Sequence, residues 1–451
     1  MEQGSPITIS SSKLEKETLD VGAYCFELAK ELWPITRSLT GPGVRETLKI
    51  LERELPNLQT HSAESGDKAF DWTVPDEWVF RHAYIEAENG DRIIDSAHNN
   101  LHVVGYSEPV DTRLPLEELL EHIYTQNNQP DSIPYVTSYY KRRWGFCMSE
   151  IQKSQLSSGL YRAVIDADLE PGQMNYGELL VQGKSSKEIF LSTYICHPSM
   201  ANNELSGPVV TTALANWIMG LENRRYSYRI VFVPETIGSI LYLSRNLEQM
   251  KQAIVAGFNV SCIGDDRSYS FLPSRNGDTI ADRVARHVLR GIDPHYKSYT
   301  WLDRGSDERQ YCSPGADLPV ASIMRTKYGM YPEYHTSLDT LGGVVTASGL
   351  AGGFAALQQA ITILEQDFVP LSTTVGEPQL GKRGLYPDIS QKGSTSRVKD
   401  MMDMISFCDG TRSLFEIAEL LSVPFARLHE LAQPLLAQQL LCDVSGQAGE
   451  N

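Results

Sequence analysis

The amino-acid sequence predicts an α/β fold, a mixed and largely parallel sheet sandwiched by helices. Two observations carry this. Between residues 175 and 364, short continuous apolar runs (EIFLSTYI, YRIVFV, AIVAGFNVSCI) alternate with segments of helical spacing. Strands covered by helices on both faces read as unbroken apolar runs rather than as alternation. Clusters of His, Asp, Glu and Asn directly follow these runs, where the strands of an open α/β sheet end and its ligand crevice lies.

Along the chain, Cys25, Leu28, Ala29 and Leu32 fall at helical spacing until Pro34 breaks the run. After the turn Thr40-Gly41-Pro42-Gly43, a second helix places Val44, Leu48, Leu51 and Leu55 on one face. From about residue 70 to 161 short runs around Trp72, Trp78, Tyr84, Ile93 and Val103 are punctuated by Pro75, Gly90 and Pro109, the texture of strands and turns, with a helix near 116–124. GELLVQG reads as a strand, and Val209 to Leu221 as an amphipathic helix. Residues 366–390, rich in Pro, Gly, Ser and Thr, read as a linker, and two or three short helices end the chain. The expected domains are 1–65 with 165–370 (α/β), an inserted β-rich module over 66–164, and 380–451.

A chain of 451 residues with 41% apolar content can bury a core in each domain. Its 40 Lys+Arg against 57 Asp+Glu give a net charge of −17. Such a charge repels nucleic acid and anionic lipid unless a local basic patch offsets it. Seven cysteines without CxxC spacing suggest neither a zinc knuckle nor a disulfide framework. No leader-like segment or membrane-length apolar run is read, so a soluble, cytoplasmic protein is expected.

Four strand-end clusters could carry chemistry. His197, within Cys196-His197-Pro198 and followed by Asn203-Glu204-Leu205-Ser206-Gly207, offers nitrogen and oxygen donors suited to zinc; a plain loop with Ser206 capping a helix is the alternative. Glu235 in Pro234-Glu235-Thr236 is a general-base candidate if burial raises its pKa, or else a carboxylate favoured at a helix N-terminus. Asp265 and Asp266 could hold a cation, or form a solvated turn with Arg267. Last come Asp307 and Arg309, then Tyr334-His335 with Asp339 four residues on, a pairing suited to a ligand and its orienting carboxylate.

The order of these clusters resembles the co-catalytic zinc aminopeptidase superfamily: strand-end His, loop ending Ser-Gly, strand-end Glu, then YHT..DT. More narrowly, FDWTVPDEW, SYYKRRWGFC, CHPSMANNELSGP, PETIGS, LPSRNGD, GSDERQYCSPG and PEYHTSLDT resemble a bacterial family of aminopeptidase-like proteins that joins this fold to an inserted β domain and a C-terminal winged helix. The resemblance implies His197 and His335 as zinc ligands and Glu235 as general base of a metallo-aminopeptidase-like hydrolase. It also implies departures: Asn203 stands where a bridging Asp is usual, Thr236 where a ligand carboxylate is, and Ser261 where another Asp is. Glu204, Asp265 or Asp266 are then the expected replacement donors, Glu204 and Asp266 being preferred. Asn203, Asp307, Arg309 and Tyr334 are the expected substrate contacts, Arg309 for a carboxylate and Asp266 or Asp307 for an ammonium. The substrate is a peptide or aminoacyl compound; a binding protein on the same fold, or an aminoacyl transferase or cyclase, is the alternative.

The run Lys141-Arg142-Arg143-Trp144 mixes basic and aromatic residues, as single-strand binders do. Against the acidic background it is expected to face the crevice or pair with acidic neighbours. The tail CDGTRSLFEIAELLSVPFARLHELAQPLLAQQLL resembles a winged helix, but its second helix offers Arg427 alone to phosphates. Docking to a protein, a carrier or its own catalytic domain is expected instead.

Overall fold

The structure, a computed structural model, describes residues 11–139, 141–385 and 394–446. These fall into two compact units, one drawn from Met1–Ala285 and His295–Leu357, the other from Arg286–Pro294 and Gln358–Asn451.

The first unit is built on an eight-stranded sheet. In spatial order its strands are Gln59–Glu64, Gln173–Val181, Ser227–Val233, Glu188–Tyr194, Ile254–Asn259, Val320–Met324, Ser270–Leu272 and Lys297–Ser298. The four strands from Ser227–Val233 to Val320–Met324 are mutually parallel. Antiparallel pairs flank them. Glu188–Tyr194 and Ser227–Val233 are buried at every position, which is why their sequences are apolar without alternation. The helix Ser206–Met219 packs on Glu188–Tyr194 and against the helix Ser11–Leu32, while Pro42–Glu54 packs on Gln173–Val181. Gly207 lets this N-terminus approach the sheet: a Cβ there would stand 2.4 Å from Thr193 Oγ1 and 2.5 Å from the Val260 carbonyl oxygen.

A second, four-stranded antiparallel sheet orders Arg92–Asp95, Glu77–Ala87, Leu160–Glu170 and Val110–Pro115. The segment between its strands Val110–Pro115 and Leu160–Glu170 reaches the YHTS segment. Tyr135 N–H donates to the His335 carbonyl at 2.9 Å, and Ile133 N–H to Ser337 Oγ at 3.0 Å. Within this module Arg142 pairs with Asp76 at 2.7 Å and Trp144 stacks on His122, so the basic run meets acidic and aromatic neighbours.

In the second unit Ser413 caps the helix Leu414–Leu421 reciprocally with Glu416, and Phe425–Ala437 follows. The segment read as a linker carries structure: Pro370–Ser372 pairs antiparallel with Leu441–Asp443. Three residues of strand are too short to show a period in sequence. Residues 386–390 of that segment lie outside the described residues.

Among the described residues one helix, Ala347–Gln366, is long and apolar enough to cross a membrane by length and composition alone, and 61% of its apolar window is buried, as in a core helix. All seven cysteines are unpaired.

Candidate active site

The carboxyl ends of the parallel strands converge on one crevice. His197 lies three residues beyond Glu188–Tyr194, and Glu235 two beyond Ser227–Val233. Backbone strain gathers here: Ser199, Met200, Thr236, Cys262 and His335 all have φ between 47° and 64°. Each such non-glycine residue costs on the order of 1–3 kcal/mol, and such residues cluster at functional sites. Thr236 is the most constrained, with φ 64° and ψ −76°. Ile237 N–H donates to the Glu235 carbonyl at 2.8 Å across it, which makes the strained γ-turn of positive φ. Asp307 holds that turn from beneath, its Oδ1 accepting from Thr236 N–H at 2.7 Å and from Ser239 Oγ at 2.8 Å.

His197 is gripped on both sides of its ring. Its Nδ1 stands 2.9 Å from Glu204 Oε2 and its Nε2 3.5 Å from Glu235 Oε2. Glu204 is fixed in turn by Arg37, whose Nε lies 3.4 Å from Glu204 Oε1 and donates to the His197 carbonyl at 2.8 Å. Arg37 is fully buried, and its Nη1 donates to the Leu32 carbonyl. Burial alone would push the His197 pKa down; Cys196 and the Glu204 carboxylate outweigh it and hold the proton well above the usual histidine range. Burial raises Glu235, against the pull of His197 and of the Ser306 hydroxyl, which donates to Oε1 at 3.0 Å. His335 goes the other way, lowered to about 3 by burial and then by the nearby His197 charge, so its imidazole is neutral. Tyr135 sits between the histidines, its ring 5.1 Å from His197 and 5.2 Å from His335.

These contacts sort the expected residues. His197, Glu235 and His335 come together, the histidine rings 5.8 Å apart. Glu204 is beside His197 but on Nδ1, where it orients the ring. Asp266 is exposed and accepts from the Thr346 hydroxyl, outside the buried group formed by Cys196, His197 and Glu204. The neighbouring Asp265 turns inward to Thr326 and Asn202, so the two carboxylates do not act as a pair. Asn203 is buried with its backbone N–H on Asp339 and its Nδ2 without a partner. Asp307 is fully buried, raised to about 8 by burial and then by Glu235, so it is not open to a substrate ammonium. Arg309 is committed to the Ser306 carbonyl and to Thr236 Oγ1. Tyr334 stacks on His335 with centroids 3.9 Å apart. Sequence reasoning missed Arg37 and Tyr135; each is distant in sequence from the clusters and lies in no motif of its own.

A cavity of about 480 Å³ opens onto His197, Glu235 and Thr236, and is lined also by Leu39, Asp71, Trp72, Tyr139 and Cys196.

A cation could be held in two ways. Sγ of Cys196, Nδ1 of His197 and the Glu204 carboxylate lie within 4.8 Å of one another. Arg37 already stands as the cation beside that group, and burial pushes the Cys196 thiol up to about 11. The other face presents His197 Nε2 to the crevice. Glu235 Oε2 stands 3.5 Å from His197 Nε2, within reach of a group held at that nitrogen. A carboxylate on the far ring nitrogen is the usual support of a zinc-bound histidine, and Glu204 supplies it. His335, its ring 5.8 Å from that of His197, offers a neutral imidazole outside the group of donors within 4.8 Å of one another. Asn203, Thr236 and Ser261 occupy the places where the resemblance implies carboxylates.

Comparison with known proteins agrees with this architecture. Residues 26–367 match the model of a domain of unknown function, DUF4910, and residues 369–443 match a winged helix-turn-helix. The chain belongs to the DUF4910 family. A Clostridium acetobutylicum protein, named as a candidate polysaccharide biosynthesis protein with an aminopeptidase-like domain, is 39% identical over 95% of this chain and 98% of its own length. A crystal structure of a candidate peptidase from Clostridium acetobutylicum superposes with a TM-score of 0.90 at 38% identity, covering 96% of this chain and 99% of that one. The zinc aminopeptidase of Bacillus subtilis shares the fold alone, with a TM-score of 0.55 at 11% identity over 76% of this chain and 94% of that chain. The DUF4910 part of this chain therefore has the aminopeptidase-like fold.

Proposed function

We propose that this protein is a hydrolase that cleaves an amide bond near a free amino terminus of a peptide or small aminoacyl compound, using one zinc ion held by His197 Nε2 and His335, with Glu235 as the adjoining carboxylate. The arrangement Glu204–His197–Glu235 at the floor of the cavity carries this reading. When bound, zinc polarises a carbonyl and acidifies a water. Glu235 is placed to move the proton: Ser306 fixes Oε1, and Oε2 faces the crevice to accept a proton and return it to the leaving amine. Glu204 keeps His197 in the tautomer that presents Nε2. The cavity has the volume of a small-molecule site. That supports a small intermediate over a protein substrate, as does the biosynthetic name of the Clostridium relative.

The test is metal analysis of protein purified without chelators or an affinity tag that binds metal, alongside turnover of leucine amide. Near one zinc per chain and measurable turnover are expected, with Glu235→Gln keeping the metal while losing at least about a hundredfold in kcat. Zinc far below one per chain, not recovered on adding zinc, removes the metal-dependent hydrolase and favours a binding protein on this fold.

A further inference from the structure

The residues lining the active-site cavity carry a distinctive charge pattern. Asp71 and Glu235 are the carboxylates among the lining residues, His197 is the histidine, and neither lysine nor arginine is among them. The Asp71 carboxylate is exposed, and no hydrogen bond or ion pair engages it among the described residues. Trp72 and Tyr139 line the same cavity. Tyr139 is set in place by its hydroxyl, 3.0 Å from that of Tyr135, whose ring touches both histidines. A carboxylate beside aromatic faces complements an ammonium group, which is attracted to both, and opposes a carboxylate or phosphate. Of the groups expected from sequence to read substrate charge, Asp307 is buried under the γ-turn, Asp266 accepts from Thr346, and Arg309 spends N–H donors on Ser306 and Thr236.

We infer that Asp71, flanked by Trp72 and Tyr139, receives the free ammonium group of the substrate, so that this cavity takes aminoacyl compounds with an uncovered amine and refuses their N-acylated or anionic counterparts. The Asp71–Pro75 segment lies in sequence between the first strand of the large sheet, Gln59–Glu64, and its other seven, so substrate selection falls to a part of the chain outside the catalytic loops. The inference rests on the proposed hydrolase only for the bond broken at Glu235; the ammonium contact itself needs no turnover.

Leucinol, which has a free amine and no scissile amide, tests binding alone by calorimetry on the full-length protein. Wild type should bind leucinol, and N-acetyl-leucinol at least about tenfold more weakly. Asp71→Asn should weaken leucinol about ten- to a hundredfold, the range of a lost charge-assisted contact, while leaving N-acetyl-leucinol unchanged. No binding of leucinol to wild type, equal affinity for both compounds, or equal affinity of wild type and Asp71→Asn would overturn the inference. Leucine amide turnover separates this from the larger reading. Leucinol binding through Asp71 without turnover sinks the hydrolase and leaves the ammonium site standing. Turnover with an unchanged KM in Asp71→Asn sinks the ammonium site alone.

Discussion

Arg37 buries its guanidinium against Glu204, Nε 3.4 Å from Oε1, with both side chains essentially inaccessible to solvent. Removing one partner of a buried pair leaves the other charged and unsolvated, at a cost of about 3–5 kcal/mol. Arg37→Met should therefore lose stability in that range by urea denaturation. Glu204→Gln keeps an oxygen for His197 Nδ1 without the charge, so adding it to Arg37→Met should cost far less than the sum of the two single changes. Strictly additive losses in this double-mutant cycle would show that the pair is not coupled.

Asp307 makes a pH-dependent contribution whose sign follows from burial. Its folded pKa of about 8 lies far above an unfolded aspartate near 3.9, so the folded state holds the proton more tightly. The stability it lends is complete below about pH 4 and is lost as pH rises through the folded value. Asparagine resembles the protonated carboxyl and does not titrate. Asp307→Asn should be at least as stable as the native chain at pH 7, with the gap widening up to about pH 8. A gap independent of pH between 5 and 8, measured by denaturant titration, would contradict a protonated Asp307.

Nucleic-acid binding is a third check. In the second unit Arg427 pairs with Asp400 at 2.5 Å and Arg397 with Glu430 at 2.8 Å, so the basic groups of the winged-helix segment meet acidic partners within their own unit. With a net charge of −17 behind them, duplex DNA should give no shift at 50–100 mM salt on a native gel. A salt-sensitive shift abolished by Arg427→Ala would reverse this reading.

The sequence made some features plain and hid others for physical reasons. Continuous apolar runs such as YRIVFV mark strands buried on both faces, and polar residues follow them because strands end at the crevice. His197, Glu235 and His335 were therefore visible. Arg37 was not, because a buried arginine looks like any other arginine until its partner, 167 positions away in the sequence, is known to face it. Asp266 and Asp265 looked alike as a pair, yet one residue of shift along the chain sends one carboxylate inward to Thr326 and the other out to Thr346. The positive φ of Thr236 was equally hidden, since a β-branched residue is the last that local preference would place there.

That misfit suggests the fourth prediction. Thr236 holds a γ-turn that glycine would adopt without steric cost, while Asp307 and Arg309 clamp it from two sides. Thr236→Gly removes strain of about 1–3 kcal/mol and adds roughly 0.5–1 kcal/mol of unfolded-chain entropy, along with the loss of the Arg309 contact to Oγ1. Stability should accordingly stay within about 1 kcal/mol of native or rise. Catalysis should not follow stability. The turn aims Glu235 at His197 Nε2, and a glycine there lets the carboxylate sample other directions, so kcat should fall about tenfold or more with little change in KM. A variant that is both markedly less stable and fully active would show that the strain serves the fold and not the site.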